Sequence, residues 1–231
     1  LGTFRRTNLH NGPGEIGTLF LDPKCQGLGL GGLLSRSRFL FMAQFPGFFE
    51  KTIVAEMRGV VDDNGSSPFW EAIGSHFFGI DFQRADYLSM KNKQFIAELM
   101  PRHPLYVAML PTKAQRVIGE VHPNTLPALR MLQKEGFSFN GLVDIFEAGP
   151  LVSCKRHKIR TVRESQNAKL TELLEGEPQD VKACLISNTH LDFRACKALI
   201  QLSSEGEVQL SRETAEALEI EPGEEVRYIL T

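Results

Sequence analysis

Apolar positions along this chain recur with two different periods, and the places where the period changes mark its predicted elements. Residues 16–22 form an apolar, β-compatible run stopped by Asp22-Pro23, which reads as a strand. Beyond a glycine-rich stretch, apolar positions 30, 33, 34 and 41, with the small Ser37, share one helical face. Residues 52–61, β-branched at both ends, predict a second strand. The turn cluster that follows ends in Ser67-Pro68, a helix cap followed by proline at the first helical position. A short aromatic helix is then expected over residues 69–78. A further helix starts at Asn124 or Thr125, runs through Ala128, Leu129, Leu132 and Gln133 and closes at Gly136, before a strand over residues 139–146. Residues 86–111 read as irregular, with Lys91-Asn92-Lys93 exposed and Pro101, Pro104 and Pro111 interrupting any helix.

The character changes near residue 150. Residues 160–175 carry many charges and few large apolar side chains, so a connector or an exposed helix is expected. Strand-like runs at 183–186, 197–200 and 226–229 alternate with a helix over 211–218 and a Pro222-Gly223 turn. The pattern as a whole is α/β (α+β), with a core over residues 1–150 and a connector plus small β-rich subdomain over 151–231.

Composition narrows the class without defining it. With 231 residues, 42 % hydrophobic and 23 % charged, the chain has the make-up of an ordinary globular protein. A formal charge of −2 gives no field to draw nucleic acid or an anionic membrane, and the acidic run Glu213, Glu216, Glu219, Glu221, Glu224, Glu225 argues against DNA contact. No apolar run approaches a membrane span and no signal peptide is evident, so no membrane partner is expected. Cys25, Cys154, Cys184 and Cys196 form no C-x-x-C pair, and no histidines have ligand spacing. No metal site is expected, and a reduced, cytoplasmic setting is the default. Cys25 reads as a passive loop thiol.

The chemistry concentrates in Gln26-Gly27-Leu28-Gly29-Leu30-Gly31. A glycine-rich turn feeding a helix aims backbone N–H groups and a helix N-terminus at one point, which suits a pyrophosphate. Glycine allows φ > 0 and close approach of backbone to the anion. No Gly-Lys-Ser/Thr follows, so this is not a Walker A loop, and the spacing also fails the dinucleotide-binding G-x-G-x-x-G. A tight connection without a ligand is the bland alternative. The pattern Gln-x-x-Gly-x-Gly after Asp-Pro resembles the acyl-CoA pyrophosphate loop of the GCN5-related N-acetyltransferase superfamily.

Longer blocks sharpen that resemblance. Thr18-Leu19-Phe20-Leu21-Asp22-Pro23, Leu33-Leu34-Ser35-Arg36-Ser37-Arg38-Phe39, Ala55-Glu56-Met57-Arg58-Gly59-Val60 and Ser67-Pro68-Phe69-Trp70 look like the arginine N-succinyltransferase family. So do Phe95-Ile96-Ala97-Glu98-Leu99-Met100-Pro101, Val121-His122-Pro123, Glu135-Gly136-Phe137 and Asp144-Ile145-Phe146. The resemblance implies a GCN5-related N-acetyltransferase-like mixed sheet with flanking helices. It also implies succinyl transfer from succinyl-CoA to the α-amino group of L-arginine, with no permanently bound cofactor. L-Ornithine is the other acceptor that the sequence leaves open. Family members carry further chain before the segment matching Leu1, so the CoA half of the site is expected here and the arginine half is expected to be incomplete. A homo- or hetero-oligomer, or pairing with that N-terminal segment, follows as an expectation. The rival is a non-catalytic CoA-binding or assembly subunit that takes its acceptor site from a partner chain.

Acyl transfer needs anchored phosphates, donors for the thioester oxyanion and a proton for the leaving thiolate. The loop from Gln26 to Gly31 covers the first. The resemblance assigns Leu19 to succinyl-CoA binding, through the backbone of a strand over residues 19–21; a buried strand residue is the plain alternative. It makes His122 the proton donor, where the residues alone favour a helix cap. Imidazoles titrate near neutrality, which suits the role. Glu56 and Glu98, carboxylates in apolar runs, and Arg58 are candidates for the arginine pocket, with a Glu56–Arg58 pair on one strand face as the structural option. Arg36 and Arg38 are placed to approach CoA phosphates or the succinyl carboxylate.

Overall fold

The computed structural model describes residues 2–7, 12–62, 64–91, 98–100, 103–174 and 180–231. The side chains expected at the surface over Lys91, Asn92 and Lys93, the apolar run preceding Glu98, and Pro101 lie outside the described residues. Two compact units form, and they do not follow sequence order: residues 1–17 with 52–154, and residues 18–51 with 155–231.

The first unit carries β1 (Thr3–Phe4), β2 (Gly14–Glu15), β3 (Thr52–Glu56), β4 (Leu105–Tyr106), β5 (Ser138–Val143) and β6 (Pro150–Lys155). Its main sheet has the order β2-β3-β6-β5, with β2 parallel to β3 and β5 antiparallel to β6. Ile53, Val54 and Ala55 are buried in β3, as its β-branched sequence favours. The strand expected over residues 52–61 nevertheless stops at Glu56. Met57 still donates to the Pro150 carbonyl at 3.1 Å. At Gly59 the ladder ends, because its N–H turns to the Glu147 carboxylate at 2.7 Å. Facing it, the Asp144 carboxylate gathers the N–H groups of Phe146, Glu147 and Gly149 into a tight loop. Strand pairing cannot continue past such a loop.

The aromatic helix forms as its cap predicts, with Trp70 N donating to Ser67 Oγ at 3.2 Å and Ser67 Oγ donating to the Phe146 carbonyl at 3.0 Å. Its middle, Trp70–Gly74, widens into a π-turn, and Gly74 leaves the room in which the Trp70 indole lies. Trp70 stacks on Phe78 and on Phe146 at 5.2 and 5.4 Å. Residues 86–111, expected to be irregular, instead include most of a helix at Phe82–Lys91, together with β4, which pairs antiparallel with β1. The helix Leu126–Lys134 closes at Gly136, whose φ is +99°, as its glycine requires.

The second unit joins a long helix, Leu30–Gln44, to a closed five-stranded barrel. Its strands are β7 (Gln166–Leu174), β8 (Lys182–Asn188), β9 (Ala195–Leu202), β10 (Val208–Ser211) and β11 (Glu225–Leu230), in the order β10-β7-β11-β8-β9. Residues 160–174 are therefore a short helix, Arg160–Glu164, followed by a barrel strand, rather than a connector or an exposed helix. Leu170, Ile186, Ile200, Val208, Leu210, Leu218 and Val226 fill the barrel with no exposed surface. The helix Arg212–Leu218 is capped by Ser211, whose Oγ accepts from Thr214 N at 3.2 Å. The long helix packs Leu40 against Leu185 and Ile229. Arg227 on β11 donates to Gln44 Oε1 at 2.9 Å.

Two glycines allow the tight approach beside the Asp144 loop. A Cβ on Gly149 would lie 2.0 Å from the Met57 carbonyl oxygen, and one on Gly59 would lie 2.4 Å from that of Glu147. Gly149→Ala should therefore lower unfolding stability by about 1–3 kcal/mol, the usual cost of overpacking. Denaturant melting is the check, and an unchanged midpoint would contradict the close packing.

Candidate active site

In the second unit, Asp22 opens the loop by capping a single turn, Pro23–Cys25, its Oδ1 accepting from Lys24 N at 2.8 Å. The chain turns through residues 26–29, with Gly27 at φ +82° and Gly29 at φ +71°. Both values are strained for any L side chain, so two of the motif glycines are fixed by backbone conformation alone. Gly29 is then the N-cap of Leu30–Gln44, with no side-chain cap and no acidic residue in the first turn. A Cβ on Gly27 or Gly32 would meet nothing within 4 Å, and one on Gly31 only Leu21 Cδ2 at 3.7 Å. Bare backbone thus lines open space at the start of a helix of 15 residues.

The segment before the loop differs from the expectation. Only Gly14–Glu15 form a strand; Ile16 N still reaches the Val54 carbonyl, but Thr18 adopts φ +53° and residues 18–22 lie in no strand. Leu19 and Phe20 are 37 % and 76 % exposed, which removes both the strand setting and the buried alternative for Leu19.

A cavity of about 870 Å³ opens within this unit, bounded by Gly29, Gly32 and Arg36 of the long helix and by barrel residues including Lys197. Arg36, singled out from sequence, lines it and donates from Nε to Thr161 Oγ1 at 3.3 Å. Arg38 folds back on its own helix instead, donating to the Ser35 carbonyl and Oγ, and burial pushes its pKa down. Lys197 carried no signal in the sequence beyond its place in a strand-like run.

In the first unit, His122 caps the turn Pro123–Thr125: its Nδ1 accepts from Asn124 N at 3.2 Å, and its own N–H donates to the Arg58 carbonyl at 2.9 Å. An acceptor at Nδ1 places the proton of the neutral ring on Nε2, which can then donate. His122 and Arg58 are thus brought together through their backbones. Arg58 does not pair with Glu56 along the strand. Its Nε lies 3.7 Å from Glu147 Oε1, because the chain leaves the sheet after Glu56 and Glu147 is anchored at Gly59. Glu147, distant in sequence, was missed by pattern reading. Glu56 and Glu98 are exposed. Among the described residues, no group of three or more His, Cys, Asp or Glu is placed to hold a metal, and no helix is long and apolar enough to cross a membrane.

One unit thus holds a mixed four-stranded sheet, and the other a glycine turn feeding a helix without a side-chain cap. The sequence model of the arginine N-succinyltransferase beta subunit matches residues 2–161, and that of its C-terminal domain matches residues 166–229. Arginine N-succinyltransferases of Salmonella newport and Salmonella heidelberg are each 45 % identical over 234 aligned positions, covering 99 % of this chain and 67 % of the relative. The structure of arginine/ornithine succinyltransferase subunit AI from Pseudomonas aeruginosa superposes with a TM-score of 0.78 at 32 % identity. That match covers 91 % of this chain and 60 % of the solved one. The chain belongs to the arginine N-succinyltransferase family.

The capping geometry makes a spectroscopic prediction. At a pH where the ring is neutral, the ¹⁵N shifts of His122 should report the Nε2–H tautomer. An Nδ1–H tautomer would contradict the bond from Asn124.

Proposed function

We propose that this protein transfers the succinyl group of succinyl-CoA to the α-amino group of L-arginine, with no acyl-enzyme and no permanently bound cofactor. The observation that carries the reading is the pairing of family membership along nearly the whole chain with a loop whose backbone geometry suits a pyrophosphate. In this reading, residues 1–150 supply the acyltransferase core and 151–231 the β-rich subdomain. The enzyme is cytoplasmic and works as an oligomer without nucleic acid or membrane.

Each step makes a distinct physical demand. The N–H groups from Gln26 to Gly31 and the positive pole of the helix take the CoA pyrophosphate. The deprotonated α-amine attacks the thioester carbonyl; the C–N bond forms and the C–S bond breaks. The main chain at Leu19 contributes to the succinyl-CoA site, here from a segment outside the sheet. His122, protonated, gives a proton to the departing thiolate, and the attacking nitrogen releases the proton that balances it. Glu56 and Glu98 are carboxylates for the guanidinium of the acceptor, and Arg58, steadied by Glu147, is a cation for its carboxylate. L-Ornithine, whose shorter ammonium needs only one carboxylate, is the alternative acceptor.

A second reading keeps the loop but makes the chain a CoA-binding or assembly subunit that depends on a partner chain for the acceptor site. It is favoured by the solved relative, which is named as a subunit. Succinyl-arginine formation by the purified chain supports the first reading; turnover only after a partner chain is added supports the second.

Two variants test the assigned roles. Gly31→Val places a side chain where the phosphates approach, yet its Cβ meets only an ordinary contact within the protein. CoA affinity should fall at least about tenfold, equivalent to 1.4 kcal/mol, with folding retained. For His122→Ala, kcat should fall about a hundredfold with little change in KM, the lower end for general acid catalysis because CoA thiolate leaves readily. A lowered melting temperature with normal kcat would leave His122 as a cap alone.

A further inference from the structure

The charges around the cavity in the second unit are arranged in a way that folding does not require. Its charged side chains are Arg36, Lys197 and Glu213. Lys197 lies on β9, a strand that contributes Ile200 to the barrel interior, and the lysine side chain points outward and is exposed. Its Nζ donates to the Gly29 carbonyl at 3.0 Å and sits 2.7 Å from where a Cβ on Gly29 would be. An ammonium therefore stands at the positive end of a long helix whose first turn has no acidic residue. Cations are normally disfavoured at that end, which attracts anions. Arg36, further along the same helix, lines the same cavity. Two cations and a helix pole against one carboxylate make a lining suited to a polyanion, and the volume lies within the range of cavities that hold small molecules.

We propose that Lys197 is a positioning residue for the phosphate loop, through which the barrel holds Gly29 in its left-handed conformation and presents a cation to the pyrophosphate of acyl-CoA. The inference rests on the acyl-CoA reading of the loop. An ammonium has three donors. The Gly29 carbonyl takes one, which fixes the lysine relative to the turn, and the others serve phosphate oxygens. Lys197 lies outside the glycine motif and in a different part of the sequence, so the barrel becomes part of the donor site rather than an appendage.

The test is calorimetric titration of the purified protein with CoA and with 3′-dephospho-CoA, for wild type, Lys197→Met and Lys197→Arg, with melting temperatures alongside. Lys197→Met should weaken both ligands equally, about ten- to a hundredfold, as expected for loss of a charge-assisted hydrogen bond. Its melting temperature should stay at the wild-type value, and Lys197→Arg should recover most of the affinity. In turnover, Lys197→Met should raise KM for the acyl donor and spare kcat. Wild-type CoA affinity in Lys197→Met overturns the inference. So does a loss that disappears with dephospho-CoA, since the lysine would then serve the 3′-phosphate, and so does a joint loss of stability and affinity that arginine fails to rescue. Absence of CoA binding by the wild-type protein is a different result, and it overturns the acyl-CoA reading itself.

Discussion

The helix Leu30–Gln44 begins without a side-chain cap, and much of the second unit is arranged around that start. A helix leaves its first N–H groups without intrahelical partners, and they must be met by a side chain, water or a ligand. Here the N-cap is a left-handed glycine, which brings no side-chain acceptor, and the first turn brings no carboxylate. Such a terminus leaves those N–H groups to water or to a ligand. It is stable only if the rest of the helix is held by tertiary packing. Leu40 against Leu185 and Ile229 provides that packing, each full burial contributing about 1.5–3 kcal/mol.

That dependence explains why a barrel accompanies the loop. A closed sheet has no free edge and is filled by alternate side chains along each strand, so it is rigid for its size. The interior, from Leu170 and Ile186 to Val226, is fully buried. Asn188, also buried, meets the carbonyls of Asp192 and Leu218 and the N–H of Arg194, so a polar group inside is satisfied rather than strained. On this base, Arg227 reaches Gln44 at one end of the helix and Lys197 reaches Gly29 at the other. Both ends of the loop-bearing helix are thereby tied to barrel strands.

The sequence was legible where a local backbone demand chose the residue. Gly27, Gly29 and Gly136 occupy left-handed positions, and Ser67 and Ser211 cap helices, so each could be read without knowing any neighbour in space. It misled where burial was inferred from hydrophobicity. Leu19 and Phe20 read as a strand because they are apolar, yet both face solvent. Barrel strand β7 was missed for the converse reason. Only alternate residues such as Ala168 and Leu170 face inward, so its sequence, Gln-Asn-Ala-Lys-Leu-Thr-Glu-Leu-Leu, looks polar. The Arg58–Glu147 pair lay beyond local reading altogether. It depends on a loop built around Asp144, far along the chain, that ends the strand early and delivers a carboxylate to Gly59.

His122 shows why a structural and a functional reading need not compete. Capping consumes the ring nitrogen that accepts, Nδ1, and the backbone N–H of the same residue is held by the Arg58 carbonyl. Those two bonds orient the imidazole, and in the neutral ring an acceptor at Nδ1 puts the proton on Nε2. The Val-His-Pro sequence serves both ends, since proline fixes the backbone after the histidine and has no N–H to compete for Nδ1. The cap therefore engages Nδ1 and the backbone N–H and leaves Nε2 outside it.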